Sequence, residues 1–117
     1  MSSHSGFWSD LQERLQADSE FAQQYLLDWV KLTTVDRLVN KLDEERASMG
    51  MTKAGLARAI HRDPAAVRRL LSDASGNPTI ESVSSIAAAI GFRLELVPME
   101  ESERLVVSEP LRVLADC

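Results

Sequence analysis

Cysteine is nearly absent: Cys117 stands alone, which excludes an intrachain disulfide and any cysteine-rich zinc site. Long apolar runs are absent too. The longest, Ile86 to Ile90, falls far short of the roughly 20 residues that a membrane helix needs. The opening MSSHSGFWSD has no basic stretch followed by an apolar one, so it does not read as a secretory signal, and a cytoplasmic protein is expected. Glycine is scarce, and none of the five sits in a phosphate-cradling loop. There is no internal repeat and no low-complexity segment. Neither a Ser/His/Asp arrangement nor a poised carboxylate pair stands out among the scattered acidic residues. His4 and His61 are too isolated to suggest a metal site, and Cys117 has no basic neighbour to activate its thiol. The expectation is a binding protein, with no enzymatic activity, no cofactor and no metal.

What is present is an uneven distribution of charge. The chain is acidic overall, at −5, with a hydrophobic content of 44% that permits a modest core. Residues 1–50 carry five basic and nine acidic side chains, and residues 73–117 carry three basic and eight acidic ones. Between them, residues 51–72 hold Lys53, Arg58, Arg62, Arg68 and Arg69 against Asp63 alone. Positive charge gathered into so short a stretch of an acidic chain points to a local anionic partner, nucleic acid first.

Apolar periodicity reads mainly as helix. Phe7, Leu11 and Leu15 recur at four-residue spacing. Asp18 or Ser19 can cap a second helix, in which Phe21, Tyr25 and Trp29 form a stripe expected to be buried. Thr33 and Thr34 weaken helical propensity before Val35, Leu38, Val39 and Leu42 resume the pattern as far as Gly50. Thr52 can cap the next helix, which buries Leu56, Ala57 and Ile60. After the turn His61-Arg62-Asp63, Asp63-Pro64 is a strong helix start. That helix buries Val67 and Leu70 or Leu71 and projects Arg68 and Arg69. SDASGNP reads as a loop, and Thr79 caps a helix that Gly91 stops. Phe92, Leu94 and Leu96 alternate with Arg93, Glu95 and Val97, which predicts a strand ended by Pro98. Beyond an acidic linker at Glu100, Glu101 and Glu103, Leu105–Val107 and Leu111–Leu114 read as short strands or a partly ordered tail.

Two short helices joined by a turn of about three residues, the second opening at Asp-Pro and displaying paired arginines, form a helix-turn-helix candidate. Such a second helix fits the DNA major groove with its N-terminal half near base edges, while the first crosses the phosphates. Guanidinium groups bond bidentately to guanine or to phosphate oxygens. The stretch from Met51 to Pro98 resembles the Xre/Cro-type helix-turn-helix family, through Thr52, Leu56-Ala57, Val67, Asn77-Pro78-Thr79 and Ile86-Ala87 to Gly91. Within it, the tail GFRLELVP and the run Asp18-Ser19-Glu20-Phe21 are similar to HigA-type antitoxins.

The resemblance implies a mainly α, lambda-repressor-like fold with N-terminal helices and a short C-terminal β-strand region. Its domains would be an N-terminal helical segment over 1–50, the DNA-binding domain over 51–98, and an acidic linker and tail over 99–117. It implies a sequence-specific repressor that binds double-stranded DNA, with a RelE/HigB-type toxin as a second partner. The family's phosphate-binding position after Thr52 is usually Gln and here is Lys53; its base-reading positions fall on Pro64, Ala65, Arg68 and Arg69. The family's turn usually carries Gly where this chain has His61. The DNA-binding candidates are therefore Thr52, Lys53, Arg62, Ala65, Arg68 and Arg69. Arg58 reads equally as a partner for a carboxylate on a neighbouring helix. A homodimer is expected, because one short helix reads few base pairs and two about a twofold axis read a palindrome. The alternating segment Phe92–Val97 offers a strand edge for such pairing or for a toxin. A rival expectation is a protein-interaction module with a degenerate helix-turn-helix, since Pro64 and Ala65 carry no hydrogen-bonding side chain.

Overall fold

The computed structural model describes residues 10, 13, 18–72 and 77–116. The helix expected around Phe7 to Leu15 lies almost wholly outside them, as do His4, residues 73–76 of the expected loop, and Cys117. In chain order the elements are α1 (Ser19–Val30), a π-helical stretch (Lys31–Asp36), α2 (Arg37–Ser48), α3 (Lys53–Ala59), α4 (Pro64–Ser72), α5 (Ile80–Ala89), α6 (Glu101–Glu103), a second π-helical stretch (Arg104–Ser108) and α7 (Glu109–Leu114). The molecule is mainly helical. Among the described residues no helix is long and apolar enough to cross a membrane.

The chain divides into two compact units, one comprising residues 1–31 and 98–117, the other Leu32–Val97. In the first, Asp18 caps α1, its Oδ1 accepting from the Phe21 N–H at 3.1 Å. The expected stripe Phe21, Tyr25, Trp29 is not the buried one. Ala22 and Leu26, one position further on, are buried, while Phe21 and Trp29 each keep over a third of their surface exposed. α1 packs against α7, and the small side chain of Ala22 suits close approach of another helix better than the ring of Phe21 does. Val107 is the fully buried residue of the C-terminal segment.

The second unit holds the larger core: Leu42 of α2, Leu56 and Ala57 of α3, Val67 and Leu71 of α4, and Val83, Ile86, Ala87 and Ile90 around α5. Leu70 is only partly buried at its edge. Thr52 and Thr79 cap α3 and α5, accepting from Gly55 N–H at 2.9 Å and Ser82 N–H at 3.1 Å. Three helices stop in the same way, with paired bonds that satisfy their last carbonyls. Met51 N–H reaches Arg46 O and Gly50 N–H reaches Ala47 O; Phe92 N–H reaches Ala87 O and Gly91 N–H reaches Ala88 O; Arg62 N–H reaches Ala57 O and His61 N–H reaches Arg58 O. The motif requires a left-handed residue, and Gly50 (φ 74°) and Gly91 (φ 85°) supply it twice. At the end of α3 a histidine does so: His61 has φ 57°.

The C-terminal β-strand region is corrected in two ways. Residues 92–97 are neither helical nor paired, because a strand needs a ladder partner and no described segment bonds to their backbone as one. Leu105–Val107 and Leu111–Leu114 are helical rather than extended. Pro110 sits at the start of α7, within the helical run that includes the second π-helical stretch.

Candidate nucleic-acid interface

The site is built on α3, α4 and the turn between them. Proline at the first position of α4 pre-sets the backbone, and Val67 N–H makes the opening helical bond to Asp63 O at 3.1 Å. Val67 and Leu71, four residues apart, anchor one face in the core. At 100° per residue, Ala65, Arg69 and Ser72 fall opposite that anchor and Arg68 on its flank, all four exposed, with Arg69 pointing most directly away from the core. α4 contains no acidic residue.

Thr52 serves as the cap of α3, so its hydroxyl is committed to the backbone at Gly55. Lys53 opens that helix, and its Nζ donates to Ser72 Oγ at 3.2 Å. This bond ties the start of α3 to the outward face of α4, so that Lys53, Arg68 and Arg69 gather on one side. Arg62 lies in the turn, its Nη2 3.6 Å from Glu81 Oε1 at the start of α5. Both side chains of that pair are accessible, so the pairing is weak in water and an incoming phosphate can compete for the guanidinium. Arg58, Arg68 and Arg69 make no ion pair with another described residue, and the carboxylate partner considered for Arg58 is not found among those residues. Ala65 presents only a methyl group, which can meet a thymine methyl but cannot donate or accept.

The sequence candidates therefore divide. Lys53, Ala65, Arg68 and Arg69 share a surface; Thr52 is structural, and Arg62 stands beside the surface, held by Glu81. Sequence reasoning missed both cross-element contacts, Lys53 with Ser72 and Arg62 with Glu81, because neither follows from local periodicity. It placed His61 where the resembling family carries Gly but did not assign it the left-handed, helix-closing role. That role had a signal, since helix termini at Gly50 and Gly91 left α3 without a glycine at the matching place.

Elsewhere, Lys41 on α2 has its pKa raised by a hydrogen bond to Glu45 and by the charge of that carboxylate, an exposed helix-surface pair remote in sequence from the site. Among the described residues, no group of three or more His, Cys, Asp or Glu side chains is placed to hold a metal ion. Comparison with known protein families, with curated proteins and with solved structures gives no match for this chain.

Proposed function

We propose that the chain is a sequence-specific DNA-binding regulator of the helix-turn-helix kind, acting as a homodimer, with α4 as the recognition helix in the major groove. The observation that carries this reading is the outward face of α4. Ala65, Arg68, Arg69 and Ser72 form a cationic surface without a carboxylate, and Lys53 is fastened to its edge. Arg69 reads a base edge, Arg68 flanks it, and Lys53 and Arg62 neutralise backbone phosphates without reading sequence. Repression of its own operon and service as the antitoxin of a RelE/HigB-type toxin extend the same proposal. They rest on the resemblance of Met51–Pro98 and of the flanking segments described above. No catalytic role is assigned.

The rival reading, a protein-interaction module that does not read DNA, draws on Ala65 and Pro64 at base-reading positions and on the Glu81 carboxylate beside Arg62. The two differ in salt dependence. DNA binding through phosphates falls steeply with salt as counterions are displaced, whereas a pure adaptor has no such DNA term.

Binding titrations against the DNA upstream of the gene and against a scrambled duplex, at two salt concentrations, test the assignment. Arg69→Ala is expected to cost about 1–3 kcal/mol on the cognate duplex and to flatten discrimination at one base pair per half-site. Lys53→Ala is expected to weaken both duplexes alike and to lower the salt slope by about one unit per site. Cognate affinity and selectivity unchanged in Arg69→Ala would remove the recognition role.

A further inference from the structure

The segment that follows α5 makes no backbone hydrogen bond to another described residue beyond Phe92. Phe92 N–H is committed, bonding to Ala87 O at 2.7 Å as the closing bond of the α5 terminus. From Arg93 to Val97 no backbone group bonds to another described residue. The side chains of Arg93, Leu94 and Glu95 nevertheless alternate as in a strand. Leu94 turns into an apolar cavity of about 110 Å³ that Val35, Leu38, Ile80 and Val83 also line. Arg93 Nε and Glu95 Oε2 lie 3.8 Å apart on the solvent side. Leu96 has 99% of its surface exposed, and Val97 beside it 79%.

We propose that residues 92–97 pair antiparallel with the same segment of a second copy, about a twofold axis through Leu94. The inference rests on the homodimer of the proposed function and supplies its interface. Three observations fix the register. In a strand, backbone groups of successive residues point to opposite edges, so the committed N–H of Phe92 assigns the even-numbered residues to the inner edge. The opposite edge, clear of the α5 terminus, then belongs to Arg93, Glu95 and Val97. An axis at Leu94 sets Arg93 opposite Glu95 of the second copy and Glu95 opposite its Arg93, two complementary pairs that exchange backbone bonds. It also sets Phe92 opposite Leu96 of the second copy, covering the exposed leucine, and Leu94 against Leu94 at the mouth of the apolar cavity. An axis at Glu95 would place two glutamates face to face, and one at Arg93 two arginines. An axis between residues would set odd-numbered residues opposite even-numbered ones, placing Arg93 or Glu95 against a leucine and mixing the two edges of the strand.

Sedimentation of the full chain without DNA tests both pairing and register. The parent is expected at twice the chain mass at micromolar concentration. Arg93→Glu and Glu95→Arg, each placing like charges opposite one another twice, should raise the dimer dissociation constant about tenfold, and the double exchange should restore it. In a Cys117→Ser background, Leu94→Cys should oxidise readily to a disulfide-linked dimer, because residues facing across a non-hydrogen-bonded pair bring their Cα atoms within bridging distance. Glu95→Cys should not. A monomeric parent, a double exchange as weak as the single variants, or preferential crosslinking at position 95 would each overturn the proposal. These readouts contain no DNA. Loss of salt-dependent DNA binding with the pairing intact would overturn the function and leave the interface standing, and the converse result would do the reverse.

Discussion

At the scale of single residues, the most unusual position is His61. A non-glycine residue at φ 57° is held there by the two bonds that close α3, His61 N–H to Arg58 O at 3.3 Å and Arg62 N–H to Ala57 O at 2.9 Å. The left-handed region crowds any Cβ, though histidine tolerates it better than a β-branched residue does. His61→Gly should therefore stabilise the fold by about 0.5–1 kcal/mol, the relief of crowding outweighing the extra freedom of glycine in the unfolded chain. The urea midpoint should rise with an unchanged slope, whereas His61→Val should lower it. His61 is exposed and contributes no bond to the core, so neither substitution leaves a cavity to confuse the reading. A fall in stability for His61→Gly would mean that its side chain, not its backbone, is what the turn needs.

At the scale of elements, what the sequence made legible was local chemistry. The caps Asp18, Thr52 and Thr79 and the stops Gly50 and Gly91 lie where their residue types predict, because a cap depends only on atoms within one turn. Helical spacing likewise made Val67 and Leu71 of α4 and Val83, Ile86, Ala87 and Ile90 around α5 legible as inward residues. Ile80, which the same spacing turns inward, is 79% exposed because it stands at the first position of its helix. The π-helical stretch was not. Thr33 and Thr34, followed by the equally β-branched Val35, announced a weak helix without saying how it would be accommodated. The buried face of α1 and the helical C-terminal segment were hidden as well, since both depend on which elements pack together rather than on either one alone. Of the candidate site, the basic face of α4 could be read, while the Lys53–Ser72 and Arg62–Glu81 contacts could not, as each joins residues 19 apart. One capping contact is tight enough to test as a coupling. A Cβ on Gly55 would lie 3.0 Å from Thr52 Oγ1, so alanine there gains helical propensity but presses on the cap. Gly55→Ala should be near neutral in the parent and stabilising by about 1 kcal/mol in a Thr52→Ala background, where the hydroxyl is gone. Thr52→Ala alone should cost about 1 kcal/mol. Additive effects in that cycle would show that the helix end yields freely.

At the scale of the whole molecule, charge is segregated by unit. Residues 1–31 and 98–117 carry four basic and ten acidic side chains, whereas Leu32–Val97 carries nine basic and eight acidic ones. A chain of net charge −5 that approaches a polyanion is repelled by its overall field even while the α4 face is attracted, so the acidic unit acts against encounter. Glu100, Glu101 and Glu103 are suited to measuring this opposition, being exposed, with Glu100 making no side-chain bond as the cap of α6. Replacing all three with glutamine removes three negative charges while leaving the residues of the α4 face untouched. Under the DNA-binding proposal, the association rate should rise severalfold at about 20 mM salt, where the screening length exceeds ~20 Å, and by little at about 300 mM, where it falls to roughly 6 Å. Dissociation from the cognate duplex should be unchanged at either salt, since contacts made in the complex set that rate. Stopped-flow association at the two salts separates the effects. A change confined to dissociation would place these glutamates against the bound DNA, and equal association rates at both salts would show that the field of the acidic unit does not reach the encounter.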